Sequence, residues 1–187
     1  MFKKLLALTF VLVSGAAMAG GFGGVEYNYV DGIGASKGVT SNGYTVTLGT
    51  NVAPSTAVEL KTSFARVDSV GSTGNALEAG ITQSYGLGNG ITAYARGALG
   101  KLWTNGADLT YYSVEPGLKY AATPALTLSA GYRFRDSTNS DKVFKTNTVR
   151  LGGEYALSKT SAITVGYDRY YGDTEANGLN VGYAFKF

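Results

Sequence analysis

Histidine and cysteine are both absent from the 187 residues, and proline occurs only three times. Without histidine, a Ser-His-Asp triad cannot be assembled, nor can most proton shuttles that work near neutral pH. Without histidine or cysteine the usual zinc ligand sets are gone as well, and no disulfide can staple the chain. Also missing is a basic patch or stripe of the kind a nucleic-acid partner requires, although the formal net charge is +3. Beyond residue 19 no run of about eighteen apolar residues occurs, so a membrane-spanning helix is not predicted. An extended 3.6-residue apolar period is lacking too.

What is present begins with an export signal. Lys3 and Lys4 form a positive n-region, Leu5 to Val13 an apolar core, and Ala17-Met18-Ala19 a small-residue cleavage site. That order reads as a secretory signal peptide over 1–19, removed before a single domain spanning 20–187 folds. Removal of Lys3 and Lys4 brings the sixteen basic side chains down to fourteen, against thirteen acidic ones. The basicity of the full chain therefore belongs partly to the export signal. An exported chain without disulfides must draw its stability from burial or from closure.

The rest of the chain, rich in glycine and tyrosine, alternates with a period of two, which in a strand sends successive side chains to opposite faces. Leu179, Val181, Tyr183, Phe185 and Phe187 share one parity, while Asn180, Gly182, Ala184 and Lys186 share the other. Leu126, Leu128, Ala130, Tyr132 and Phe134 alternate with Thr127, Ser129, Gly131, Arg133 and Arg135. Eight further segments repeat the pattern, giving ten predicted strands, with eight as the alternative because 22–30 and 109–120 are less regular. Tight connections at 53–55, 87–90, 122–124 and 158–160 alternate with mostly longer polar ones at 31–42, 68–74, 104–108, 136–145 and 172–178. This spacing suits an up-and-down barrel with periplasmic turns and extracellular loops, both termini lying on the turn side.

Alternation alone also fits a soluble barrel, so the charges decide the solvent. The polar face carries Glu26, Glu59, Lys61, Glu78, Arg96, Glu115, Lys119, Arg133, Arg135, Arg150, Glu154 and Asp168. Both signs on one face suit a polar lumen in which they pair, whereas a soluble ligand-binding barrel would keep its interior apolar. On the apolar face Tyr29, Tyr44, Phe64, Tyr85, Trp103, Tyr120, Phe134, Tyr155, Phe185 and Phe187 fall toward segment ends. Aromatic rings there suit two interfacial girdles. In hydrocarbon a sheet satisfies its backbone only by closing on itself. The predicted fold is thus all-β, a closed up-and-down antiparallel transmembrane β-barrel.

The carboxyl-terminal run Tyr183-Ala184-Phe185-Lys186-Phe187 resembles the terminal signature of bacterial outer-membrane β-barrels. Taken with the signal peptide and the alternating segments, the mature chain is similar to the small class that includes OmpX, the OmpA membrane domain and small porins. The resemblance implies residence in the outer membrane of a Gram-negative bacterium, in contact with its lipid and lipopolysaccharide. It also implies recognition of Tyr183, Phe185 and Phe187 by the outer-membrane assembly machinery, and a monomer. Enzymes of similar architecture, such as lipid A deacylases, palmitoyltransferases and omptin-like proteases, use a histidine that this chain lacks.

Other motifs lead to no chemistry. Gly86 to Gly90 lacks the lysine of a phosphate loop, and Asn89-Gly90 between alternating runs is a hairpin signal. Gly32 to Gly38 has the wrong spacing for a dinucleotide fingerprint. Asp136, Asn139 and Asp141 offer oxygen ligands without the EF-hand spacing, and beside Lys142 they read as a solvated loop. Glu115 with Glu154, or Glu26 with Asp168, would be the carboxylates to act as acid and base, but salt-bridge formation is the expectation. No cofactor, metal or catalytic residue is predicted. A narrow passive porin-like channel or structural barrel is the leading reading. An adhesin or ligand-binding barrel working through its loops is the alternative, and a lipid-modifying enzyme ranks last.

Overall fold

The computed structural model describes residues 20–68, 71–104, 108–138 and 145–187. The signal segment, and with it Asn139, Asp141 and Lys142, lies outside the described residues. Ten strands form, β1 (Gly21–Gly32), β2 (Thr40–Ala53), β3 (Thr56–Val67), β4 (Ser72–Gly88), β5 (Ile91–Thr104), β6 (Asp108–Ala121), β7 (Leu126–Ser137), β8 (Thr146–Ala156), β9 (Ser161–Gly172) and β10 (Ala176–Lys186). Each pairs antiparallel with its sequence neighbours, and β1 pairs with β10, so the sheet closes into a barrel with no free edge. The count is ten, not the alternative eight. Strands of 11 to 17 residues exceed the roughly 9–11 that a tilted strand needs to cross hydrocarbon.

The barrel is inverted relative to a soluble protein. Leu99 and Leu179 on the outer face are 63% and 59% exposed, whereas Arg96 and Glu115 on the inner face are 6% and 4% exposed. Most of the side chains that would form a soluble core point outward. The buried interior is the lumen, and it is polar. Outward-facing charges within the strands, namely Asp31, Arg66, Lys101, Asp108, Asp136 and Arg169, all lie next to the longer loops. From there to the short turns the outer face carries none.

Turn chemistry explains the tight ends. Between β4 and β5, Gly88, Asn89 and Gly90 all hold positive φ (89°, 52° and 76°). Asparagine and glycine tolerate this region with little steric cost. Both ends of the barrel wall lie on the side of the short turns, where the Phe187 N–H donates to the Gly21 carbonyl at 2.9 Å.

Several connections are shorter than the polar runs at 31–42, 68–74 and 172–178 suggest. Ser41, Asn42 and Gly43 belong to β2 and pair with Val67, Arg66 and Ala65, and Asn177 pairs with Asp31. An antiparallel ladder is built from backbone groups, so polar residues extend it once their neighbours are in register. The first connection then shrinks to 33–39 and holds a single 3₁₀ turn at Gly34–Ser36. β6 runs unbroken through the less regular 109–120 stretch. Pro116 lacks an N–H, and the β6–β7 ladder is interrupted there between Val114↔Phe134 and Gly117↔Gly131 without a change of register.

Candidate functional site

The lumen is where the chain concentrates its chemistry. Alternation places Glu26 of β1, Glu59 and Lys61 of β3, Glu78 of β4, Arg96 of β5, and Glu115 and Lys119 of β6 on the inner face. Arg133 and Arg135 of β7, Arg150 and Glu154 of β8, and Asp168 of β9 share it. The structure gathers most of them into two ion-pair clusters on different arcs of the wall.

In the first cluster Arg96 Nε donates to Glu59 Oε1 at 2.6 Å, and its Nη2 donates to Glu78 Oε1. Lys61 Nζ lies 3.3 Å from the same Glu59 oxygen. Gly80 makes this possible: a side-chain carbon there would lie 2.7 Å from Arg96 Nη2.

The second cluster centres on Arg150. Its Nη1 donates to Glu115 Oε2 at 3.0 Å and its Nε to Asp168 Oδ1 at 3.1 Å. Tyrosine hydroxyls cover the remaining carboxylate oxygens, Tyr94 donating to Glu115 Oε1 at 3.1 Å and Tyr170 to Asp168 Oδ2 at 3.3 Å. Buried charges are tolerated when they are paired and their other lone pairs are hydrogen-bonded, and the second cluster meets that condition. Glu115 and Asp168 are thereby engaged by one guanidinium rather than left as a free acid and base.

Arg133 and Arg135 lie on β7 toward the longer loops, within electrostatic reach of Glu78. Arg135 packs its guanidinium 5.2 Å from the centroid of the Tyr111 ring. Arg133 makes no ion pair among the described residues; it faces Thr148 in register. Lys119 and Glu154 lie toward the short turns, and with Glu26, Thr127, Ser129 and Asn180 they line a polar cavity of about 360 Å³ beside the second cluster. Both also border a wider vestibule of about 610 Å³ at the turn-side mouth, lined by Phe22, Ser158 and Lys186 among others. In the loop-side half Leu109, Tyr111, Ser113, Thr146 and Thr148 are buried. The lumen is therefore asymmetric, with open space toward the turns, ion pairs along the middle of the wall and buried side chains beyond them.

Alternation places Tyr94 on the polar face with Arg96 but does not single out Tyr111 and Tyr170. Tyr111 and Tyr170 each stand beside a second tyrosine, Tyr112 and Tyr171, that faces out; parity with Glu115 and Asp168 is the signal that separates them. In the fourth loop, the Asp136 carboxylate accepts a hydrogen bond from the Ser137 N–H at 2.8 Å. Asn139 and Asp141, its companions in the calcium reading, lie outside the described residues. The terminal Phe185 and Phe187 stack on the outer face at 5.8 Å between centroids, near the exposed Tyr183.

No protein-family model matches the chain, and a search of curated proteins finds no match either. Solved structures do match it. An outer membrane channel of Pseudomonas putida F1 is 11% identical with a TM-score of 0.59, over 90% of this chain and 96% of that one. The β-domain of the Bordetella autotransporter BrkA is 13% identical with a TM-score of 0.58, over 90% and 99%. The translocator domain of the autotransporter NalP from Neisseria meningitidis is 11% identical with a TM-score of 0.54, over 99% and 95%. The chain has the fold of the small outer-membrane β-barrels.

Proposed function

We propose that the chain is an integral outer-membrane protein that acts as a narrow, passive, porin-like channel, constricted where Arg96 and Arg150 hold their carboxylates. The observation that carries this reading is the division of charge between the two faces. Outward charges stop at the loop-side rim, so the rest of the wall suits hydrocarbon, where one Arg or Lys at mid-depth costs about 2–4 kcal/mol. Inward charges of both signs line a path that starts in an open vestibule and narrows to the paired side chains. A ten-stranded barrel leaves slightly more interior than an eight-stranded one, which side chains fill. Similarity to an outer membrane channel adds support at the level of the fold. Mixed signs in the constriction imply little preference between cations and anions.

The same reading includes export by the 1–19 signal and delivery to a Gram-negative outer membrane. Tyr183, Phe185 and Phe187 would engage the assembly machinery there, and the monomer would sit among lipid and lipopolysaccharide. The channel does no chemistry of its own, because its best-placed carboxylates are held as ion pairs. Vesicles carrying the refolded barrel should release small salts and retain disaccharides. Vesicles that retain both would remove the channel and leave a structural barrel.

A further inference from the structure

The loop-side half of the lumen holds polar side chains that neither ion-pair cluster uses. Two rows of facing residues cross the wall there, Ser113↔Arg135↔Thr146 and, one step below, Arg133↔Thr148. Ser113, Thr146 and Thr148 are almost fully enclosed, at 2%, 2% and 1% exposure, and their hydroxyl oxygens are buried. Among the described residues none of the three hydroxyls has a hydrogen-bond partner, and neither does Arg133 Nε. A buried polar group without a partner costs about 1–3 kcal/mol, so several at one spot need a common acceptor.

The nearby carboxylates do not supply it. Glu78 is held by Arg96, and Glu115 and Asp168 by Arg150. No acidic residue occupies either row. What remains is a concentration of N–H and O–H donors around two guanidiniums, in a setting where solvent screens charge weakly. A small anion satisfies them together: it accepts from each hydroxyl and from Arg133. We propose that Arg133, Thr146, Thr148 and Ser113, with the charge of Arg135 beside them, bind one such ion, a halide or a small oxoanion. Conduction is not a premise of this site; a sealed barrel would hold it equally well.

The test uses the refolded barrel in micelles. Chloride or phosphate replaces gluconate, an anion too large for the site, at constant ionic strength, and the thermal unfolding midpoint is read by gel mobility. A bound ion raises the midpoint with a saturating dependence on its concentration. Saturation by chloride at the lower concentration assigns a halide, and by phosphate an oxoanion. Arg133→Gln and Thr148→Val should each weaken the apparent affinity about tenfold or more, whereas Arg66→Gln on the outer rim should leave it unchanged. Thr148→Val keeps the shape and removes only the hydroxyl, so it serves if Arg133→Gln does not fold. Equal midpoints in all three salts would overturn the proposal, as would an unaltered response in Thr148→Val.

Discussion

Arg150 on β8 reaches across β7 to Glu115 on β6, with Nη1 and Oε2 3.0 Å apart. The residue of β7 that faces Arg150 in register is Gly131, and its missing side chain leaves the span open. A carbon added at Gly131 would lie 2.6 Å from the Tyr94 hydroxyl and 3.4 Å from Glu115 Oε1. Because Nε of the same guanidinium holds Asp168 on β9, one side chain ties three strands together from inside. The ion pairs that line the lumen thus also brace its wall.

Removing that guanidinium should be costly. Arg150→Gln leaves Glu115 and Asp168 facing each other without a cation, and breaking a buried pair from one side costs about 3–5 kcal/mol. Urea unfolding in lipid vesicles should show this loss. Arg150→Gln combined with Glu115→Gln should cost less than the two single changes added, since each single change breaks the same bond. Strict additivity would mean that the two side chains do not interact.

Filling the space beneath the span should also destabilise. Gly131→Val forces Tyr94 and Glu115 aside, an overpacking penalty of about 1–3 kcal/mol. Gly97→Ala is the comparison. Nothing lies within 4 Å of the added carbon there, and the change should stay within about 0.5 kcal/mol. Unfolding midpoints of the two variants measure the difference; equal midpoints would contradict the tight approach at Gly131.

Depth should govern substitutions on the outer face. Leu151 lies at the middle of β8 and Tyr155 near its turn end, both exposed. Leu151→Arg should cost about 2–4 kcal/mol of folding free energy in vesicles, and Tyr155→Arg about 0–1. Equal costs at the two depths would mean that this face does not meet hydrocarbon.

Much of the fold is legible from alternation because each strand has one apolar and one polar face, so a single shift of register would move every side chain to the wrong solvent. Leu179 to Phe187 and Leu126 to Arg135 are the clearest cases. Strand ends are less legible. Residues 41–42 read as loop by composition, yet backbone pairing with 66–67 carries the ladder through them. Alternation also assigns each charge to a face but not to a partner. Arg150 takes Glu115 two strands away rather than Glu154 on its own strand, and that choice depends on register and on Gly131. The paired tyrosines at 111–112 and 170–171 hide the lumen's aromatic residues, since one of each pair faces lipid.

Single-barrel conductance in a planar bilayer, with heat-modifiable gel migration to confirm folding, tests the channel most directly. Small reproducible steps with little preference between cations and anions are the expected result. They should grow when Arg150 and Glu115 are both shortened to alanine, because those side chains form the constriction. A correctly folded barrel that stays silent both as wild type and with the two side chains removed would contradict a conducting lumen.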